Sequence, residues 1–348
     1  MRPISAGDKI NRAADKFRDE WCVLLNGEFL VKAEEPSVPS HGWAPRERPI
    51  GEYLATGVIN LDKPPGPSSH EVVAWVKRLL SLKRAGHGGT LDPKVSGVLP
   101  ITLERATRII SFVMRSGKEY VCIMELHEDV ARQRLDDVIG EFVGPIYQLP
   151  PVRSAVKRAL RVRNIYSIEI LEKDGKYVLM RVSCEAGTYI RKLCHDLGEV
   201  LGVGAHMREL RRTRAGPFRE DERLHTLHEL LDAITLWKER GDENALRSVV
   251  SPIEEFIGDF PKAFIRDSAV DAICHGASLA APGLLKISKG VKPGDTICIM
   301  TGKGELVGIA KARLTSEECI RSESGIIADT ERIVMEPGTY PKGWTSGE

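Results

Sequence analysis

The sequence predicts an α+β protein with two domains: a larger one built on a mixed, mainly antiparallel sheet with flanking helices, and a small β-barrel-like one. First, 348 residues exceed what one compact core of common size holds. Second, strand-like and helical segments between residues 51 and 259 are mixed without a regular βαβ rhythm. Third, from about residue 260 to 340 the strand-like segments become short and are separated by glycine-rich turns.

The ends of the chain are predicted to lie outside both domains. Residues 1–50 have weak periodicity and contain the proline-rich and charged run EEPSVPSHGWAPRERPIG, which is typical of an extended connector. We expect this N-terminal extension to pack on the small domain. Residues 341–348 form a short tail.

The larger domain begins with a strand, a turn and a helix. GVINLDK predicts a short strand, and PPGP a turn. Ser68 or Ser69 can then cap a helix, because a serine oxygen accepts from a free amide of the first turn. Val72, Val73 and Val76 follow at helical spacing.

The remaining elements follow from similar patterns. LPITLERATRIISFVM predicts a strand or turn that leads into an amphipathic helix, and EYVCIMELH predicts a strand. Asp174-Gly175 is a hairpin signal between two strands, the second of which leads into the helix YIRKLCHDLGEVLG. The small domain is predicted from GLLKISKG, DTICIMTG and LVGIAKARLT.

Composition excludes several classes of protein. The net charge of +1 does not by itself indicate a nucleic-acid partner. Seven cysteines without a CxxC pair argue against a zinc site and against a disulfide framework. The charged N-terminus is unlike a signal peptide, and no stretch approaches the roughly 20 apolar residues of a membrane span. We therefore expect a soluble, cytoplasmic protein without membrane contact.

The glycine-rich loop GHGGTLDPKVSG contains the first candidate catalytic residue, Asp92. Glycines allow the chain to turn tightly and to approach a ligand, and Pro93 favours an extended backbone at Asp92. A single acid on such a loop suits a nucleophile or a general base. The alternative is a turn aspartate that caps its own loop. The loop matches neither a P-loop nor a dinucleotide fingerprint, so no cofactor or metal is predicted.

Two further motifs contain candidate partners of Asp92. In GKEYVCIMEL, Tyr120 enters a strand and could stack on a base, or could be an ordinary half-buried strand residue. In EAGTYIRKLCHDLG, Arg191 begins a helix beside Tyr189. An arginine there could pair with a carboxylate and favour its ionised form, or could be a solvated helix residue.

Basic residues cluster in two runs, which suggests local tracks for phosphate groups within a near-neutral chain. The alternative is a solvated charged face. The first run, PPVRSAVKRALRVRN, contains Arg153, Lys157, Arg158, Arg161 and Arg163. The second, AHMRELRRTRAGPFR, contains Arg208, Arg211, Arg212, Arg214 and Arg219.

Together these segments resemble the TruB family of pseudouridine synthases over roughly residues 51 to 255. INLDKPPGPSSHEVV is similar to the family's opening box, GHGGTLDPKVSGVLP to its catalytic box and KEY to its tyrosine box. GTYIRKLCHDLG and GAHMRELRRTRAGPF are similar to its distal boxes. Because the boxes occur in order, the resemblance favours the functional interpretation of each motif over its alternative.

The resemblance implies a role for each matching residue. Asp92 corresponds to the catalytic aspartate, Tyr120 to the tyrosine that stacks on the target base, and Arg191 to the arginine that pairs with the carboxylate. The positions implied to contact substrate are Tyr189 and Leu210, which line the base pocket, His87 beside the flipped nucleotide, and Lys63 in the KP step, which could instead structure the loop. The implied reaction breaks the bond from uracil N1 to ribose and joins C5 to the ribose, without a cofactor.

Within this family the chain most resembles the archaeal dyskerin branch, with a PUA domain over residues 260–340. That resemblance implies H/ACA guide RNA, substrate rRNA or tRNA, and three small proteins as partners: one near the catalytic face, one near the substrate loop and one on the guide's kink-turn. The PUA domain would hold the guide's ACA end near His275, Gly276 and Ala277. The alternatives are a stand-alone enzyme for the tRNA T-loop uridine and a non-catalytic RNA-binding scaffold.

Overall fold

The computed structural model of the chain describes residues 29–114, 116–150, 159–258 and 260–342. Its strands, in chain order, are β1 Phe29–Val31, β2 Gly57–Lys63, β3 Ala85–His87, β4 Ser96–Leu103, β5 Lys118–Leu126, β6 Gly144–Gln148, β7 Arg161–Asp174, β8 Tyr177–Cys184, β9 Ala205–Ala215, β10 Phe218–Arg219, β11 Ser251–Pro252, β12 Lys262–Ile265, β13 Leu279–Ala280, β14 Leu284–Ser288, β15 Thr296–Thr301, β16 Leu306–Ala312 and β17 Ile326–Ile333.

The helices of the described residues lie between these strands. The α-helices are α1 Ile50–Ala55, α2 Ser69–Leu79, α3 Ile110–Val113, α4 Arg132–Glu141, α5 Ile190–Leu201, α6 Leu227–Arg240, α7 Glu243–Val249, α8 Asp267–Cys274 and α9 Ser316–Arg321. Short 3-10 turns are formed by Pro45–Glu47, Glu104–Arg108, Ile253–Phe256 and Ala281–Gly283.

The strands form two mainly antiparallel sheets, which confirms the predicted α+β class. The larger sheet has the order β11-β2-β4-β9-β5-β8-β7-β6, with β3 and β10 paired at its side to β4 and β9. Its β4–β9 pair is parallel. The smaller sheet has the order β1-β14-β12-β15-β16-β17-β13. The β7–β8 hairpin turns at Gly175, where the sequence predicted it.

Local sequence explains where the functional elements begin. Ser68 is the cap of α2, and it forms a capping box in which its hydroxyl accepts from the Glu71 amide while Glu71 accepts from the Ser68 amide. Strand β8 alternates between exposed and buried residues, as expected for a strand with one face on the core. The segment predicted to be a helix after β4 forms only a 3-10 turn and the single-turn α3.

Two hydrophobic clusters meet in the middle of the larger sheet. One joins α2, α6 and α7 to β2 and β4, and the other joins α4 and α5 to β5 and β8. Tyr120 on β5 and Leu210 on β9 pack against both clusters. The centre of the sheet therefore presents these two side chains where the two halves of the domain come together.

The two domains share a buried interface, and residues 29–48 contact both of them. Strand β1 pairs with β14 of the small domain. Val58, Phe218 and Phe256 of the large domain pack in one cluster with residues of β15 and β16. Arg48 forms a buried ion pair with Glu254 at 2.7 Å, and Glu254 also accepts from the Leu306 amide at 2.9 Å. The first 28 residues lie outside the described part of the chain.

Candidate active site

Asp92 lies between the end of β3 and the start of β4, and its carboxylate forms an ion pair with the Arg191 guanidinium. The two side chains are half exposed, at 54% and 53%. Arg191 is the second residue of α5, whose cap is Tyr189. The structure therefore brings together a loop and a helix whose paired residues are 99 positions apart in the chain.

Buried polar contacts hold the backbone around Asp92. The Ser69 hydroxyl donates to the Leu91 carbonyl at 3.0 Å and accepts from the Leu91 amide at 2.9 Å. The Gly66 amide donates to the Pro93 carbonyl at 2.8 Å, and the Val95 amide to that of Asp92 at 2.9 Å. The turn after β2 and the first residue of α2 thus fix the residues on both sides of the Asp92 carboxylate.

Lys63 binds the backbone of the same loop from inside the protein. Its predicted contact with substrate is therefore wrong. Its side chain is fully buried, and its ammonium donates to the carbonyls of Pro64, Pro93 and Val95 at 2.8, 3.1 and 2.9 Å. All three protons of the ammonium are used by the protein. Burial lowers the pKa of this group. The structure supports the loop-structuring alternative for Lys63.

Arg212 is also inside the protein, so the predicted phosphate contact of this residue is wrong. Its side chain is 1% exposed. Its Nε donates to the Val98 carbonyl at 2.8 Å and its Nη2 to the Gly89 carbonyl at 3.0 Å. Burial lowers the pKa of the guanidinium, an effect that the neighbouring Tyr120 opposes.

The glycines of the loop approach protein atoms, where the sequence predicted an approach to a ligand. A Cβ on Gly97, which has φ +103°, would lie 2.2 Å from the Arg212 carbonyl oxygen. A Cβ on Gly88 would lie 2.5 Å from the Met114 sulfur. The backbone contact leaves no room for a side chain at Gly97, whereas a side chain at Gly88 would require the flexible Met114 side chain to move. Gly97 therefore seats the end of the loop against β9.

Tyr120 and Leu210 stand on neighbouring strands. In the β5–β9 ladder Tyr120 lies opposite Arg212, and Leu210 lies opposite Cys122. Burial raises the pKa of the Tyr120 hydroxyl, and attraction to Arg212 opposes that rise. The phenol is therefore neutral at neutral pH, which suits a ring that stacks on a base.

Tyr189 is held by a side chain that the sequence did not point to. Gln148, which is 1% exposed, donates through Nε2 to the Tyr189 carbonyl at 3.1 Å and accepts through Oε1 from the Tyr189 amide at 2.9 Å. Gln148 ends β6, so the two contacts tie the start of α5 to the edge of the sheet. A lone glutamine at a strand end carries no signal of such a role.

His87 ends β3 beside the loop, with its ring centroid 5.0 Å from that of His70. Burial, and then the charges of His70 and Arg212, lower the pKa of His87. Its buried Nδ1 has no hydrogen-bond partner among the described residues. The predicted contact of His87 with the flipped nucleotide stays a prediction.

The predicted RNA-binding residues have different outcomes. Arg211 is bound to the carboxylates of Asp62, at 2.9 Å, and of Glu220, so its donors are already used within the protein. Arg153, Lys157 and Arg158 lie outside the described residues. The remaining three residues form an exposed turn after α8; they are His275, Gly276 and Ala277. Gly276 has φ +95° and open space around it. Their contact with RNA stays a prediction.

Four family models match consecutive parts of the chain. They are the DKCLD (NUC011) domain over residues 18–73, the TruB family pseudouridylate synthase N-terminal domain over 77–190, the tRNA pseudouridylate synthase B C-terminal domain over 191–257 and the PUA domain over 261–334. No α-helix of the described residues is both long enough and apolar enough to cross a membrane.

Relatives match almost the whole chain. A probable tRNA pseudouridine synthase B of Methanopyrus kandleri is 59% identical over 324 residues, which cover 92% of this chain and 96% of the relative. The same-named protein of Pyrococcus horikoshii is 54% identical over 333 residues, covering 95% and 100%.

Solved structures match equally well. A chain of an H/ACA RNP bound to a substrate RNA containing 2'-deoxyuridine is 52% identical with a TM-score of 0.85, covering 92% of this chain and 98% of that one. A chain of a Cbf5-Nop10-Gar1 complex is 54% identical with a TM-score of 0.85, covering 91% and 97%. This chain therefore belongs to the TruB family of pseudouridine synthases, as its motifs predicted.

Proposed function

We propose that this protein isomerises uridine to pseudouridine in RNA that a guide RNA of the H/ACA type presents, with Asp92 as the catalytic carboxylate. The observation that carries the assignment of Asp92 is its ion pair with Arg191, formed where the two halves of the sheet meet. The similarity to chains of solved H/ACA complexes supports the proposal that a guide RNA presents the uridine.

The chain's own residues suit each stage of this isomerisation. The uridine must leave its stack before C1′ and C6 can be reached. Tyr120 would stack on the extruded uracil, and Leu210 and Tyr189 would line its pocket. Arg191 pairs with the Asp92 carboxylate and fixes its direction. The bond between N1 and C1′ breaks, C5 joins C1′, and the proton lost from C5 is balanced by one gained at N1.

The partners follow from the same likeness. We propose that proteins of the kind named Nop10 and Gar1 in the related complex dock on this chain, that a third protein binds the guide's kink-turn, and that the PUA domain holds the guide's end. The relatives described above come from archaea, which supports an archaeal source and therefore a cytoplasmic site of action.

A second function rests on the relatives' printed name, tRNA pseudouridine synthase B. In this second proposal, the chain modifies a tRNA T-loop uridine without guide RNA or partner proteins. Tritium release from RNA with 5-tritiated uridine separates the two proposals: guide-dependent release requires the partners and the guide, whereas T-loop release does not. Release from neither RNA contradicts both.

Asp92→Asn tests the role of the carboxylate in that assay. We expect it to abolish tritium release while the affinity for guide RNA stays within about twofold of that of the unmodified protein. The free energy of unfolding should change by less than about 1 kcal/mol, since an exposed ion pair adds little to stability. Arg191→Ala should fold but turn over far more slowly. Asp129→Asn is the matched control, because Asp129 is also an exposed carboxylate in an ion pair, with Lys173 at 2.6 Å. Near-normal release by Asp92→Asn contradicts the assignment.

A further inference from the structure

Arg212 is unusual among the arginines of β9, because its guanidinium is enclosed by the protein. Arg211, its neighbour on the strand, is partly exposed and bound by two carboxylates. Arg212 is 1% exposed, and within the described part of the chain its guanidinium has no carboxylate in an ion pair. Burying an arginine in this way is costly, and its remaining compensation is hydrogen bonding to neutral groups. The groups that it contacts therefore indicate what it does.

The guanidinium joins the two ends of the catalytic loop. Gly89, whose carbonyl accepts from Nη2, is three residues before Asp92, and Val98, whose carbonyl accepts from Nε, is six residues after it. The planar fork of arginine can bind both carbonyls at once, which a single ammonium group cannot do in the same geometry. A Cβ on Gly89 would lie only 3.6 Å from Nη1, so the loop packs directly on the guanidinium.

The same guanidinium also interacts with Tyr120. The two residues lie opposite each other in the β5–β9 ladder, and each shifts the pKa of the other: Arg212 opposes the rise at Tyr120, and Tyr120 opposes the fall at Arg212. Arg212 is thereby connected both to the loop that carries the carboxylate and to the ring assigned to the uracil.

We propose that Arg212 is a positioning residue for the isomerisation, which sets the Asp92 loop and the Tyr120 ring relative to each other. It touches neither the substrate nor the reacting atoms; it acts through the Gly89 and Val98 carbonyls and the tyrosine. This inference rests on the roles proposed above for Asp92 and Tyr120. Displacing a reacting group by about 1 Å can lower a rate roughly 10²-fold, so loss of this contact should slow the chemical step.

Two substitutions test the proposal in the assembled complex with guide RNA. Arg212→Met keeps the length of the side chain without its donors, and Arg212→Lys keeps one donor group. We expect single-turnover tritium release to fall about 10²-fold for Arg212→Met and less for Arg212→Lys, with the RNA dissociation constant changed by less than about threefold. Arg181→Met is the control, because Arg181 lies on the adjacent β8 in an exposed ion pair with Glu169.

A double-mutant cycle with Tyr120→Phe separates positioning from a purely structural role. If Arg212 acts through the tyrosine hydroxyl, its replacement should cost less in the Tyr120→Phe background than in the unmodified protein. If Arg212→Met does not fold, the release rate of Arg212→Lys tests the proposal instead. Its folded fraction is measured by thermal unfolding. Rates per folded molecule equal to those of the unmodified protein, or costs that simply add to that of Tyr120→Phe, would overturn the proposal. An unmodified protein that is inactive would instead overturn the proposed function.

Discussion

Replacing Lys63 with methionine tests whether the buried ammonium holds the Asp92 loop in place. The substitution leaves three carbonyls without their donor, and each unsatisfied buried acceptor costs about 1–3 kcal/mol. Two factors reduce the sum: only the bond to Val95 is wholly buried, and the cost of burying the ammonium is removed as well. We therefore expect a loss of about 2–4 kcal/mol, which leaves a protein of ordinary stability folded.

The chemical step should suffer in addition, because the freed carbonyls lie next to Asp92. Pro93 follows it directly, and Val95 donates to its carbonyl. A shift of the carboxylate by about 1 Å would lower the single-turnover rate roughly 10²-fold. Urea unfolding gives the stability and tritium release gives the rate. Lys173→Met is the control, because Lys173 also binds a carbonyl, that of Gly175, but lies at the β7–β8 hairpin. Unchanged stability would show that the Lys63 ammonium does not hold the loop in place. A normal rate per folded molecule would show that it does not affect catalysis.

Three other substitutions address stability. Glu254→Gln leaves the buried Arg48 without its carboxylate and should cost about 3–5 kcal/mol in urea unfolding; no loss would mean that the buried pair does not stabilise the fold. Burial lowers the pKa of Lys118 to about 7, so the folded state releases this proton before the unfolded chain does. Stability should therefore rise between pH 7 and 10 by at most about 1.4 kcal/mol per unit relative to Lys118→Met, and a constant difference would contradict this. Gly97→Ala should cost more than about 4 kcal/mol in thermal unfolding because its Cβ meets β9 backbone, whereas the helical Gly140→Ala should be tolerated.

The fold was predictable where local patterns are strong. The hairpin at Gly175 and the helix α5 were both located from turn residues and hydrophobic spacing. The amphipathic helix expected after β4 forms only as a 3-10 turn and the single-turn α3; Ala106, Ile109 and Val113 of this segment pack into the cluster that the two domains share. Pairing between distant strands, such as β4 with β9, follows from tertiary packing, which no single segment encodes.

The ion pair at the candidate site was predictable, because the sequence pointed to Asp92 and Arg191, whereas the buried residues that support the loop were not. RELRRTR suggested one basic surface, but it forms part of β9, where neighbouring side chains point to opposite faces. Arg212 is therefore buried while Arg211 is not. Ser69 was considered only as a helix cap, although Ser68 fills that position and Ser69 is left to bind Leu91 on both sides.

The contrast between the exposed ion pair and its buried supports explains how the site can be both stable and reactive. Asp92 and Arg191 are each about half exposed, so their attraction is screened by water and contributes at most about 1 kcal/mol to folding. The loop geometry instead depends on Lys63, Ser69 and Arg212, which are fully enclosed. The carboxylate can therefore exchange its contacts with water for contacts with a uridine without loosening the loop. Its interaction with arginine strengthens when the base displaces that water, which is when orientation of the charge matters.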